Sequence, residues 1–140
     1  MASTATGTFK IDSWEESALV EYDHGGKMTR ATVKQSYSGD IEGSSEIEYL
    51  MLHNANGSAK FVGYETVQCS LAGKQGSFVL QHDGEFSIGI ASSNYRVASG
   101  SGRGGFMNIS GDGRYSSMAG GEAEYSFEYQ ADSSDDQAGR

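Results

Sequence analysis

A chain of 140 residues with a formal net charge of −9 has the length of one domain and can bury well over half of its unfolded surface. Phosphate recognition needs clustered Lys and Arg, so nucleic acid is not expected as a partner, and an anionic membrane surface is disfavoured for the same reason. No apolar run approaches the ~20 residues that a membrane-spanning helix needs.

The apolar fraction is only 36%, yet Phe, Trp and Tyr make up 11%, so large aromatic side chains must supply much of the buried area. Twenty glycines stand beside no proline, which leaves every tight turn to Gly, Asn, Asp or Ser. Cys69 is the single cysteine and cannot close an intramolecular disulfide. With no charged, apolar, small-residue leader read at Met1, a reducing cytoplasm is the expected location.

From Thr6 to Gln130 short alternating runs recur between glycine-bearing turns, the pattern of a β-sandwich or barrel. In Thr8–Ser13, Phe9 and Ile11 share a face. The best helical stretch is a single turn near Trp14–Leu19. Asp23-His24-Gly25-Gly26 reads as a loop before Thr29–Ser38, where Ala31, Val33 and Tyr37 alternate with polar residues. A turn near Ser87–Gly89 leaves the face of Tyr95 open. The clearest strand is the last, where Ala123, Tyr125, Phe127 and Tyr129 alternate with Glu124, Ser126, Glu128 and Gln130. One all-β domain over residues 1–130 is expected, followed by a disordered acidic tail over 131–140.

The middle of the chain carries a sharper expectation. Asn56-Gly57 suits a two-residue type I′ hairpin turn, which would pair Leu52 with Phe61, Leu50 with Gly63 and Glu48 with Glu65. A second such turn at Gly73-Lys74 would pair Cys69 with Phe78, Val67 with Leu80 and Glu65 with His82. Directly opposed residues share a face, so Glu48, Glu65 and His82 would form one row on the apolar side, with Leu50, Leu52, Phe61, Val67, Cys69, Phe78 and Leu80 as companions. Tyr49, Met51 and Tyr64 fall on the other side. Buried together, two carboxylates and an imidazole are coupled and suited to proton transfer. The same groups would also serve to hydrogen-bond one another and rim waters. A slip of one residue in either register reverses the face.

Other residues carry less. One His with two Glu could ligate zinc or iron, but an inward His without a second His or Cys at ligand spacing is a weak metal-site signal, so no metal is expected. His24 and His53 lie near loops and read as solvated. Cys69 reads as a small apolar filler, since no cation is placed to activate it. Gly100-Ser101-Gly102-Arg103-Gly104-Gly105 lacks the Gly-Lys-Ser/Thr ending and following helix of a phosphate loop, and reads as turns.

The order of Trp14-Glu15, Ser38-Gly39-Asp40-Ile41-Glu42-Gly43, Glu48-Tyr49-Leu50, Phe61-Val62-Gly63-Tyr64-Glu65, Gly76-Ser77-Phe78-Val79-Leu80-Gln81-His82 and Gly100-Ser101-Gly102 resembles an uncharacterised bacterial single-domain family. That family looks related in fold to plant allene oxide cyclases. The resemblance spans nearly all of residues 6–130 and implies a closed antiparallel barrel of about eight strands. The chain departs from the family pattern at Ser99, where a proline is usual, and at Arg103, where a threonine is usual.

Three functions remain open for such a barrel. The first is an isomerase, cyclase or lyase without an organic cofactor, with Glu65 as base, His82 orienting it or returning the proton, and Glu48 tuning it. In that reading Leu50, Phe61, Phe78 and Leu80 form the apolar wall and Tyr95 donates a hydroxyl. The second is a non-catalytic binder of a small apolar molecule, and the third a structural domain with a filled interior. Exposed strand edges or a Tyr-bearing outer face would join copies into a homodimer.

Overall fold

The computed structural model describes residues 2–117 and 122–131. Nine antiparallel strands run in chain order: β1 Ser3–Glu21, β2 Lys27–Gly39, β3 Ile41–His53, β4 Ala59–Leu71, β5 Lys74–Ser87, β6 Ile90–Val97, β7 Arg103–Gly104, β8 Ile109–Ser117 and β9 Glu122–Ala131. Each long strand pairs with the next, β6 pairs with β8, and β9 returns to β1, so eight strands close an up-and-down barrel. The two-residue β7 lies on the edge of β5. No helix among the described residues is long and apolar enough to cross a membrane. The expected acidic tail lies, after Ala131, outside the described residues.

Alternation decides what fills the barrel. One inward row runs Ala31, Tyr49, Gly63, His82, Tyr95, Gly113, Phe127 and Ala5 around the circumference. Large rings alternate there with Ala and Gly, which lets them interdigitate in a narrow interior. A Cβ on Gly63 would sit 2.9 Å from the Tyr49 ring, and one on Gly84 only 2.4 Å from the Phe61 ring. Phe78, Phe106 and Phe127 close the end of the core away from the cavity described below.

Two turns fix registers that differ from the sequence expectation. Between β3 and β4, Gly57 N–H donates to the Asn54 carbonyl and Asn54 N–H to the Ser58 carbonyl, with Gly57 at φ +92°. This is a three-residue loop with a left-handed glycine, one residue longer than the expected turn. Met51 therefore faces Phe61 and Ile47 faces Glu65, and Glu48 is opposite Tyr64. The odd shift reverses the face of β3. Glu48, Leu50 and Leu52 point outward, and Tyr49 and Met51 point in.

Between β4 and β5 the turn is Ala72-Gly73, with both residues at positive φ and Leu71 opposite Lys74. That register is shifted by two residues, so its faces are as expected. The Trp14–Leu19 stretch is strand, paired with β2 from Trp14 to Ala18 and skipping Leu19 at a second register slip.

The β5–β6 turn puts Ile88 at φ +54° beside Gly89 at +76°, with Ile88 95% exposed. A β-branched residue in the left-handed region costs about 1–2 kcal/mol, and here it buries nothing in return. Ile88→Asn, which supplies the Asn-Gly pair this turn favours, is expected to raise stability by about 1 kcal/mol, read as a higher urea midpoint at unchanged slope.

Candidate functional site

The polar centre of the barrel is built around Glu65, which sees no solvent. Glu65 and His82 are diagonal neighbours, since Gly63 faces His82 and Glu65 faces Leu80. Ser93 Oγ donates to the Asn94 carbonyl at 3.2 Å, which leaves it an acceptor for His82 Nδ1–H at 2.8 Å. Nε2 then meets Glu65 Oε1 at 2.6 Å through one shared proton. The other carboxylate oxygen accepts from the Tyr37 hydroxyl at 2.5 Å and from Gln35 Nε2 at 3.4 Å. Tyr37 and Gln35 reach it from β2 across Gly43 and Ser45, the small residues opposite them on β3.

Burial, together with the Glu65 charge and neighbouring Tyr95, holds the Tyr37 phenol well above its ordinary value. Burial likewise raises Tyr49, Tyr95 and Tyr115. These hydroxyls therefore stay protonated at neutral pH. Burial also pushes the Cys69 thiol up to about 11, in keeping with a filler rather than a nucleophile.

The cavity lies elsewhere. A space of about 370 Å³ opens at one mouth of the barrel, with Phe9, Met51, Ala59 and Phe61 among its walls and Tyr49 and Tyr115 at its floor. The two floor hydroxyls bond each other at 3.0 Å, and both rings centre 5.7 Å from the His82 ring. Both phenol rings and Gln35, a donor to Glu65, line the cavity, whereas Glu65 and His82 do not.

The cavity's polar edge is a second carboxylate–imidazole pair. Glu16 Oε2 accepts from Thr29 Oγ1 at 2.6 Å and meets His53 Nε2 at 2.8 Å, while Oε1 accepts from Trp14 Nε1 at 2.8 Å. Burial pulls the Glu16 carboxyl upward, but the bonds from Thr29, Trp14 and His53 outweigh it and set the group below its ordinary 4.5. An ionised Glu16 only accepts, so His53 Nε2 carries a hydrogen. Nδ1 of His53 has no hydrogen-bond partner among the described residues.

A bulge in β1 creates this edge. The register slips by one residue between Ile11 and Ser13, so the inward set Phe9 and Ile11 continues as Trp14 and Glu16, opposite the inward Val33 and Ala31 of β2. Bulges commonly re-aim side chains next to sites. Without it, Ser13 and Glu15 would face the cavity.

Of the residues singled out from sequence, Glu65, His82, Phe61, Phe78, Leu80 and Tyr95 are all buried inside the barrel. Only Phe61 lines the cavity. Two expectations are overturned by the longer β3–β4 loop. Glu48 is on the outer face, bonded to Arg30 at 3.0 Å and to Thr32, and Leu50 is 47% exposed. His53, read as a solvated loop residue, instead ends β3 at the cavity edge. No cluster of three or more His, Cys, Asp or Glu suited to a metal occurs among the described residues.

Residues 5–129 match the family described as "Protein of unknown function (DUF3224)". The chain belongs to that family. A crystal structure of a DUF3224 protein with unknown function from Shewanella oneidensis MR-1 is similar, with a TM-score of 0.73 at 29% identity over 92% of this chain and 96% of that one. No curated protein matches the chain. The chemistry of this DUF3224 barrel is accordingly read from its own side chains.

Two outcomes test the site. Glu65→Leu leaves His82, Tyr37 and Gln35 facing an apolar group and is expected to cost about 3–5 kcal/mol in urea unfolding, with part of the loss recovered in Glu65→Leu/His82→Leu. Glu16, with its carboxyl held low, contributes stability present above the ordinary carboxylate pKa and lost as pH falls through the lowered value. Emission of Trp14, the sole tryptophan, is expected to report loss of the Glu16 contact only once pH falls below the ordinary carboxyl value of 4.5.

Proposed function

We propose that the barrel binds a small, mainly apolar molecule in its mouth cavity, with one polar group of the ligand set against the Glu16–His53 edge. The observation that carries this reading is the cavity itself. Its volume of about 370 Å³ falls within the roughly 300–1,000 Å³ of small-molecule sites, and aromatic walls surround a short polar edge. Glu65 and His82 lie behind the Tyr49–Tyr115 floor with their hydrogen-bonding groups engaged, which favours a structural role for them.

A second reading has a specific observation behind it. His53, which lines the cavity, is oriented by an ionised carboxylate and has no partner for Nδ1 among the described residues, the arrangement of a general base or acid. Proton transfer within a bound carbon acid or epoxide, of the isomerase, cyclase or lyase kind, would then use His53 rather than Glu65.

Trp14 reports on both readings. Titration with a panel of neutral apolar compounds, strained epoxides and carbon acids included, is expected to shift its emission saturably for at least one member. Ala59→Met, which fills the cavity from its wall, should weaken that binding about tenfold or more, a change of about 1.4 kcal/mol, while far-ultraviolet circular dichroism stays unchanged. A panel that leaves the emission of folded protein unmoved would sink the binding reading. If turnover accompanies binding, His53→Gln is expected to abolish it and retain affinity; turnover that survives in that variant rules out His53.

A further inference from the structure

The outer face of β3 and β4 is unusual for a chain so acidic. Leu50, Leu52, Val62 and Tyr64 lie there together, each between 42% and 56% exposed. Leu50 is directly opposite Val62, and Tyr64 stands opposite Glu48. The face continues onto β2 through Arg30, which pairs with Leu50, and onto β5 through Asp83, which pairs with Val62.

One outward row therefore reads Arg30, Leu50, Val62, Asp83 across four strands. A cation, bonded within its own chain to Glu48 at 3.0 Å, stands at one end and an anion at the other, with two apolar residues between. Laid against its own reverse, such a row brings each cation to an anion and apolar to apolar. A two-fold axis in the contact plane, parallel to the strands and running between β3 and β4, performs this operation. The rows on either side answer to the same axis. Thr32, Glu48, Tyr64 and Gln81 reverse to put a phenol hydroxyl on each Glu48, and Met28, Leu52, Lys60 and Glu85 put the Lys60 stem over Leu52.

We propose that this face joins two copies of the chain in a symmetric dimer, with Leu50 and Val62 at its centre and Arg30 of each protomer paired with the partner subunit's Asp83. Self-complementarity is what a two-fold interface requires, and an apolar centre with Tyr and Arg inside a charged rim matches the anatomy of protein interfaces. Charge argues for the same occupant. The chain carries −9 overall, so most faces of two copies repel. These three rows hold two cations, Arg30 and Lys60, against three acids, Glu48, Asp83 and Glu85, a balance near zero that two copies can share. An acidic partner would be opposed by those three acids, and a strongly basic one would leave the apolar centre uncovered.

Sedimentation equilibrium of the whole chain tests the assignment. Wild type is expected to behave as a concentration-dependent dimer at micromolar levels. Arg30→Asp and Asp83→Arg each set like charges together at both ends of the row, and each is expected to weaken the dimer at least tenfold. The double variant restores opposite charges and is expected to recover dimerisation. Val62→Glu, on an exposed position that leaves the barrel interior untouched, should yield a folded monomer by circular dichroism. A wild type that stays monomeric to high concentration overturns the proposal, as does a dimer that Val62→Glu leaves intact or a charge swap that rescues nothing. None of these readouts involves the mouth cavity, so ligand binding can fail or succeed independently.

Discussion

A carboxylate sealed from water at the centre of a narrow barrel constrains everything packed around it. An unpaired buried charge costs several kcal/mol, so each oxygen of Glu65 must find partners, and those partners come from two other strands, with a third supporting the imidazole. Tyr37 and Gln35 arrive from β2, His82 from β5, and Ser93 on β6 holds the far side of the imidazole. The network ties the strands across the barrel as well as along its sheet. It also fixes where small residues must be: Gly43 and Ser45 let β2 side chains pass over β3, and Gly63 opens space for Tyr49 and His82.

The same satisfaction argues against Glu65 as a reacting group. A general base needs its proton acceptor exposed to substrate, whereas both Glu65 oxygens are engaged and neither Glu65 nor His82 lines the open space, which the network reaches only through Gln35. The mouth pair differs in this respect. Glu16 is engaged by three donors, while Nδ1 of His53 has no hydrogen-bond partner among the described residues. Two carboxylate–imidazole pairs are in this way divided between the middle and the end of one barrel.

Much of this was legible in the sequence. Strict alternation in β2 and β9 gave the all-β class and the inward Ala31, Val33, Tyr37, Tyr125 and Phe127, closure followed from the family resemblance, and Glu65 and His82, expected directly opposite, kept a shared face as diagonal neighbours because side chains repeat every two residues. What failed was anything that depended on odd numbers. The Asn56-Gly57 pair suggested the shortest turn, and the loop is longer by one residue. The correction was available in β3 itself, where Ser45-Glu46-Ile47-Glu48 alternates with Ile47 as the apolar member; the run Tyr49-Leu50-Met51-Leu52 is apolar on both faces and concealed it. Glu16 and Trp14 were hidden differently. Their face is set by a bulge, and nothing in Ile11-Asp12-Ser13 announces one in a chain whose alternation there already favoured neither side.

The residue that the β3–β4 loop adds does more than relocate Glu48. With the shorter turn, Leu50 would have entered the core and Tyr49 would have faced water, removing the phenol that floors the cavity and bridges to Tyr115. With the longer one, Tyr49 completes the floor and Leu50 joins Val62 outside. The interior gains a hydroxyl it can satisfy, and the surface gains an apolar pair it must either leave wet or cover. Flanked by Arg30 and Asp83 at matching distances along the pairing, that pair is shaped for its own image. The Tyr49 side of the cavity and the exposed Leu50–Val62 pair are therefore two consequences of one register, and a change that slipped β3 against β4 would remove both at once.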